Sequence, residues 1–204
     1  MQWLWISWTG VFLAAYLVGG IPTAYLAARW IKNADIRSLG DRNAGAANVY
    51  RNVGHKAGLA VGAVDIAKGV VPVLLAKAVL DSATAEMISG CLVIAGHNWP
   101  AHLQFRGGRG AATGVGVLLA TIPILAIPLA LACLGILYLT KKAIIPLAVF
   151  LILAPILAWW PMDYPFSLAG YSLLIPLLVG ISHYLSVKRL ALAGSGVEAH
   201  LPQS

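Results

Sequence analysis

Residues 111–140 read AATGVGVLLATIPILAIPLALACLGILYLT, thirty positions without a charged side chain and with Pro123 and Pro128 near the middle. A helix crosses about 30 Å of hydrocarbon in about 20 residues. This stretch is therefore long for one upright crossing and short for two. It reads either as one kinked helix or as two short helices meeting near residues 122–128. In the second case each half spans about 20 Å and depends on local thinning or on burial among neighbours. The choice sets how often the chain passes through lipid.

Charge decides it, because lysine and arginine gather on cytoplasmic loops. Arg29, Lys32, Arg37, Arg42, Arg51 and Lys56 follow the first apolar segment, and Arg106 and Arg109 precede Ala111. Lys141 and Lys142 follow Thr140, and Lys188 and Arg189 follow the last segment. Two passes through 111–140 put all twelve on one face; a single pass moves the last four to the other. Two passes is the better reading. The other segments are 3–28, 57–80, a shorter one from 85 to 95 or as far as 100, 143–160 and 166–187. The expected fold is thus all-α, a polytopic membrane helical bundle of seven transmembrane segments, with the N-terminus outside and the C-terminus cytoplasmic. Residues 1–204 are expected to form a single domain. Asp81, Glu86 and Asp163 then fall on the outer side.

Composition agrees. Apolar residues make up 60% of the chain and charged ones 10%, against about 25% charged in a soluble domain. The first charged residue is Arg29. A secretory signal carries its positive charge ahead of the apolar run, so the first segment reads as a retained helix. Cys91 and Cys133 lie in apolar stretches without metal or disulfide spacing and read as small buried hydrophobes.

Two ionisable residues stand inside a span. Asp65 and Lys68 are three apart in 57–80 and share a helix face. Such groups mark a functional interior, or else a structural ion pair between packed helices. Lys77, near the outer end, can snorkel.

Two loops on the basic face are rich in glycine. One runs Gly40-Asp41-Arg42-Asn43-Ala44-Gly45-Ala46-Ala47-Asn48-Val49-Tyr50-Arg51. The other runs Gly96-His97-Asn98-Trp99-Pro100, then Phe105-Arg106-Gly107-Gly108-Arg109-Gly110-Ala111-Ala112-Thr113. In the second, a glycine run with two arginines opens a helix, whose N-terminus presents unpaired N–H groups. Glycine lets the backbone approach closely, and arginine grips phosphate bidentately. The pattern suits a phosphate cradle; the bland alternative is contact with lipid headgroups. His97 and His183 each open a polar loop after an apolar stretch, where an imidazole can donate to phosphate or move a proton. His102 lies close by.

Several chemistries are missing from the sequence. It has no nucleotide P-loop, no Gly-x-Ser-x-Gly elbow, no His-Glu-x-x-His and no His-x4-Asp pair. No metal site and no cofactor are expected. Nucleic-acid binding is not expected either, since topology accounts for the positive charge.

In order along nearly the whole chain, the motifs resemble those of the bacterial acyl-phosphate:glycerol-3-phosphate acyltransferases, the PlsY family. Gly20-Ile21-Pro22 is similar to its Gly-Ser-Ile-Pro. Asp35-Ile36-Arg37 and Gly40 through Asn48 to Arg51 resemble its Asp-Ile-Arg-x-x-Gly-Ser-Gly-Asn-x-Gly-Ala-Thr-Asn-x-x-Arg. Asp65-x-x-Lys68-Gly69 follows. Gly96-His97 to Thr113 resembles Gly-His-x-Phe/Trp-Pro…Phe-Lys-Gly-Gly-Lys-Gly-x-Ala-Thr. His183…Lys188-Arg189-Leu190…Gly196-Val197-Glu198 resembles the closing His-x-x-Asn-x-x-Arg-Leu-x-x-Gly-x-Glu.

The resemblance implies a multi-pass protein of the bacterial inner membrane with its active site facing the cytoplasm. It implies acyl-phosphate and glycerol 3-phosphate as partners, membrane lipids around a monomer, and acyl transfer to the sn-1 hydroxyl, giving lysophosphatidate for phospholipid biosynthesis. Carried over by position, Asn43, His97 and His183 are catalytic, and Asn48, Arg51, Lys68, Arg106, Arg109 and Thr113 hold substrate phosphate. Asp41 stands where the family has serine and is added here as a general base. Arg42 replaces glycine, Ala47 threonine and Ser186 asparagine, and Ala143-Ile144-Ile145 has no hydroxyl where the family has a serine. Arg106 and Arg109 replace lysines. Such changes around one pocket suit an altered acceptor. They also suit a homologue that binds anionic phospholipid ligands without turnover. A third class, transport through Asp65 and Lys68, needs solute uptake to support it.

Overall fold

The computed structural model describes residues 2–142, 144–160 and 164–198, and there the chain is all helical. Ala143, the expected first residue of the sixth segment, and Asp163, placed on the outer side, lie outside the described residues. In chain order the α-helices are α1 Gln2–Gly19, α2 Thr23–Lys32, α3 Ala46–Asn52, α4 His55–Leu80 and α5 Ala83–Asn98. They continue with α6 Ala111–Thr121, α7 Pro123–Thr140, α8 Ile144–Trp159 and α9 Phe166–Glu198.

The stretch 111–140 is two helices, parted at Ile122. A residue ahead of proline is pushed out of the helical region, and Ile122 has φ −131° and ψ 56°. Pro123 then opens α7 at a position where its missing N–H removes no helical bond. Pro128 stays inside α7 without ending it.

Elsewhere the boundaries differ from the expectation. Segment 3–28 is interrupted at Gly20–Pro22, where Gly20 and Ile21 make turn-like bonds back to Tyr16 and Val18 before α2 begins. The last segment does not end at Val187. Helix α9 runs to Glu198, since Leu190, Ala191, Leu192 and Ala193 favour helix and no proline intervenes. His183, Lys188 and Arg189 therefore sit on a helix rather than in a loop.

Among the described residues, four helical stretches are long and apolar enough to cross a membrane: Trp5–Lys32 taken across its break, His55–Leu80, Pro123–Thr140 and Phe166–Ala191. Helices α6 and α8 are apolar but shorter. At 1.5 Å per residue α6 is roughly 16 Å long. Its residues Thr113–Leu118 and Ala120 are buried, so it lies within the bundle rather than against lipid.

Small residues permit this packing. A Cβ on Gly69 of α4 would strike the Thr113 carbonyl, and one on Gly116 of α6 would strike the Ile66 carbonyl. Helices α4 and α6 thus cross backbone to backbone. Likewise, Gly19 lies against the Val93 carbonyl and Gly96 against the Tyr16 carbonyl, which locks α1 to α5. The Tyr16 hydroxyl donates to the Trp99 carbonyl at 2.7 Å. In lipid, such close van der Waals contact replaces the hydrophobic drive as the source of helix association. Trp30 and Ile31 of α2 are exposed beside Arg29 and Lys32, a mixture suited to the membrane–water interface.

Candidate active site

Both glycine-rich loops meet at the ends of α4, α5 and α6. The first is stiffened by its own side chains. Asp35 accepts from the Arg37 N–H at 2.8 Å and caps a 3₁₀ turn, Ile36–Ser38. The fully buried Asn48 amide donates to the carbonyls of Ile36, Leu39 and Asn43 at 2.9–3.1 Å. Its oxygen accepts from Asn52 at 2.7 Å. Gly40, at φ +52°, is pressed against Asn48 and Asn52, where a Cβ has no room. The second loop is tied back to α5: Gly107 donates to the Asn98 carbonyl and Gly108 to that of His97, each at 3.1 Å. A Cβ at Gly108 would meet His97 Nε2 and the Ala44 carbonyl, so there the two loops touch.

Two hollows lie near these loops, one against Gly107 and Gly108 and the other against Ala46 and Ala47. One is a cleft of about 240 Å³ lined by Arg37, Arg42, Arg106 and Arg189, with Asn98, Gly107, Gly108, Ser182 and Ser186 on its walls. Among the described residues Arg42 and Arg106 have no acidic partner, and Arg189 donates only to the Phe105 carbonyl at 3.3 Å. The cleft is strongly basic. The other is a groove of about 420 Å³ walled by apolar and small side chains from α3, α4, α6, α7 and α8, including Ala47, Gly62, Val115, Leu134 and Phe150.

The two loops also carry a three-residue ion cluster. One oxygen of Asp41, Oδ2, accepts from Arg51 Nη2 at 3.0 Å and from Arg109 Nη1 at 3.4 Å. Arg51 follows Tyr50 of the groove wall, Arg109 follows Gly108 of the cleft wall, and Asp41 precedes Arg42 of the cleft. Several buried groups nearby have no protein hydrogen-bond partner: Arg109 Nε, Thr113 Oγ1, Asn43 Oδ1 and both amide atoms of Asn98. Buried polar atoms in native proteins are satisfied, by ligand or water if not by protein.

Below the glycine loop lies a second cluster. Asp65 Oδ1 accepts from Lys68 Nζ at 2.9 Å and from the Thr23 hydroxyl at 2.6 Å, and His97 Nδ1 stands 3.8 Å away. Lys68 also donates to the Ile21 carbonyl at 3.1 Å. Lys68, His97, Gly107 and Gly108 share a very small cavity.

The expected residues therefore divide. Asp41, Arg51 and Arg109 come together. Arg106 lines the polar cleft, and Thr113 is buried in the first turn of α6. Lys68, expected to hold phosphate, is committed to Asp65 and Ile21 instead, because a buried ammonium needs a charge beside it. Asn48 is committed to bracing its loop. His183 is exposed and lines neither hollow, whereas Ser182, Ser186 and Arg189 of the same helix face the cleft. Asp41, expected as a general base, has Oδ2 engaged by two guanidiniums, while Oδ1 accepts from the Asn43 N–H at 3.5 Å. Arg37, Arg42, Asn98, Ser182, Ser186 and Arg189 were not picked out from sequence as site residues. On α9 the spacing 182, 185, 186, 189 is one helical face, visible once the helix is known to continue past Val187.

Comparison with known proteins adds a family. A family model described as glycerol-3-phosphate acyltransferase matches residues 9–193. A glycerol-3-phosphate acyltransferase of Thermoanaerobacter sp. (strain X514) is 38% identical over 195 residues, covering 94% of each chain. Glycerol-3-phosphate acyltransferase 4 of Dehalococcoides mccartyi (strain ATCC BAA-2266 / KCTC 15142 / 195) is 41% identical over 184 residues, covering 87% of this chain and 95% of the other. The crystal structure of PlsY (YgiH), an integral membrane glycerol 3-phosphate acyltransferase, in its glycerol 3-phosphate form superposes with a TM-score of 0.77 at 30% identity. It covers 92% of this chain and 93% of that one.

Proposed function

The chain belongs to the glycerol-3-phosphate acyltransferase family, and from that premise we propose that it moves a fatty acyl group from acyl-phosphate to the sn-1 hydroxyl of glycerol 3-phosphate. What supports this is a cleft walled by arginines and an apolar groove, each with a wall residue next in sequence to one of the paired arginines, Arg109 after Gly108 and Arg51 after Tyr50. The groove takes the acyl chain and the cleft the phosphate of the acceptor, with Arg42, Arg106 and Arg189 as its counter-charges. The donor's own phosphate then lies against Arg51 and Arg109 and the N-terminus of α6, with the acyl carbonyl beside it.

The hydroxyl oxygen attacks the acyl carbon, the bond from that carbon to the phosphate oxygen breaks, and inorganic phosphate departs. The hydroxyl proton passes to the departing phosphate, so no enzyme nucleophile is needed. The guanidiniums and α6 amides stabilise charge that builds on the phosphate, and the two hollows hold the reactants in line. His97, beside the glycine loop, orients that loop, and Asn43 and Thr113 offer further polar contacts to substrate. Asn48 and Lys68 serve the site by fixing the loops. Seven crossings of the bacterial inner membrane with the basic face inside place the site at the cytoplasm, within one domain acting as a monomer.

The test is purified protein in nanodiscs, given acyl-phosphate and glycerol 3-phosphate, with orthophosphate and lysophosphatidate both measured. Stoichiometric formation of the two supports the reading; a folded protein that releases neither overturns it. One feature favours a second reading, a binder without turnover: the carboxylate of Asp41 already sits between the two arginines. Phosphate-dependent ligand binding without product in the same assay is its signature.

A further inference from the structure

Asp41 contacts both arginines in the manner of a bound anion, but an incomplete one. A single oxygen serves Arg51 Nη2 and Arg109 Nη1, which come from separate loops. Arg109 Nε, on the same guanidinium, is buried and has no protein partner. A carboxylate fixed at Asp41 offers one oxygen here. A phosphate offers three or more in a tetrahedral array and up to twice the charge. Two such anions cannot both lie against the same pair of guanidiniums without strong repulsion.

We propose that Asp41 is a built-in competitor for phosphate: it occupies the Arg51–Arg109 site between turnovers, yields to the phosphate of the donor, and returns to drive inorganic phosphate out. Asp41 is thus a specificity-determining residue that sets how tightly phosphate is held. The inference rests on the reading of Arg51 and Arg109 as a phosphate site, and its logic does not require that acyl transfer takes place. The surroundings allow the movement. Asp41 is about one-third exposed in a loop, next to Arg42, which holds a left-handed backbone at φ +56° and belongs to the cleft. Arg51 is half exposed, so its guanidinium can follow an incoming anion.

The test is direct titration of inorganic phosphate into the full chain in nanodiscs, by calorimetry, alongside its inhibition constant against acyl-phosphate. Asp41→Asn and Asp41→Ser are expected to bind phosphate at least tenfold more tightly, with stronger product inhibition and an unchanged melting temperature. Asp41→Glu, which keeps the charge, stays near the wild type. Asp41→Asn combined with Arg109→Ala loses the gain. The proposal is overturned if neither neutral variant binds phosphate more tightly, if the gain survives loss of Arg109, or if every Asp41 variant unfolds. Tighter phosphate binding with no acyl transfer in any form keeps Asp41 as a competitor for phosphate at Arg51 and Arg109 and removes both the acyltransferase reading and the part in product release.

Discussion

Arg37 reaches across from the first loop to donate to the backbone carbonyl of Leu103 in the second, at 3.3 Å, while its other nitrogens grip Asp35 at 2.8–3.1 Å. One guanidinium therefore joins the two loops and forms part of the cleft wall. A lysine cannot reproduce that fork. Arg37→Lys is expected to lower kcat/KM for glycerol 3-phosphate about tenfold, chiefly through KM, in a steady-state assay.

The Arg37–Asp35 pair also has a pH signature. The adjacent guanidinium holds the Asp35 carboxyl below its ordinary range of about 3.8, despite a smaller opposing effect of burial. A carboxylate with a depressed pKa stabilises the fold above its unfolded value and loses that contribution as pH falls through the folded one. Both partners are partly exposed, so the contribution is small, about 0.5 kcal/mol. Asp35→Asn is expected to lower the melting temperature slightly at pH 7, by an amount that shrinks as pH falls below the ordinary carboxylate range, read by thermal unfolding in detergent.

The buried pair of Asp65 and Lys68 behaves otherwise. Losing one partner leaves an unpaired charge in the bundle, at a cost of about 3–5 kcal/mol. Lys68→Met and Asp65→Asn are each expected to unfold at clearly lower temperature. The double variant should recover most of the loss, since it buries no charge. If it is as unstable as the sum of the singles, the pair is not the source of the effect.

Groove and cleft make separate predictions. Gly62 leaves space for a Cβ, whose nearest neighbour would be Ala46 at 3.5 Å. Gly62→Ala is therefore nearly silent, while Gly62→Leu fills the groove. At about 0.8 kcal/mol per buried methylene, excluding four of them costs roughly 3 kcal/mol, above a hundredfold in rate. Turnover across a series of acyl-phosphates should then shift toward short chains.

On α9, Arg189→Ala is expected to raise the KM for glycerol 3-phosphate about tenfold, the scale of one charge-assisted contact. His183→Ala should change it little, because His183 is exposed and away from both hollows. Equal losses in the two variants would place His183 in the site after all.

Much of this architecture could be read from the residues alone. The helical class, the break in 111–140 and the glycine run opening α6 follow from local rules about proline, glycine and apolar runs. That Arg51 and Arg109 belong to one site is implied by the family resemblance; that Asp41 joins them shows only in the structure. What could not be read depends on where elements end and which way they face. Without a proline or glycine stop, nothing at Val187 marks how far α9 goes, so Ser182, Ser186 and Arg189 were not seen as one row. Lys68 looked like a phosphate ligand because a sequence shows charge but not the acid and carbonyl that satisfy it. Asn48 reads as a phosphate ligand for a similar reason, its three carbonyl partners being scattered over eight residues of loop.

The brevity of α6 bears on how the protein is made. Eleven residues rich in glycine and alanine partition weakly into bilayer on their own. Helix α6 must find its seat on α4 as it leaves the ribosome, and α4 precedes it in synthesis. The Gly69–Thr113 crossing is then a step in biogenesis: a bulky side chain at Gly69 should leave α6 stranded at the translocon and the nascent chain open to membrane proteases before any substrate is met.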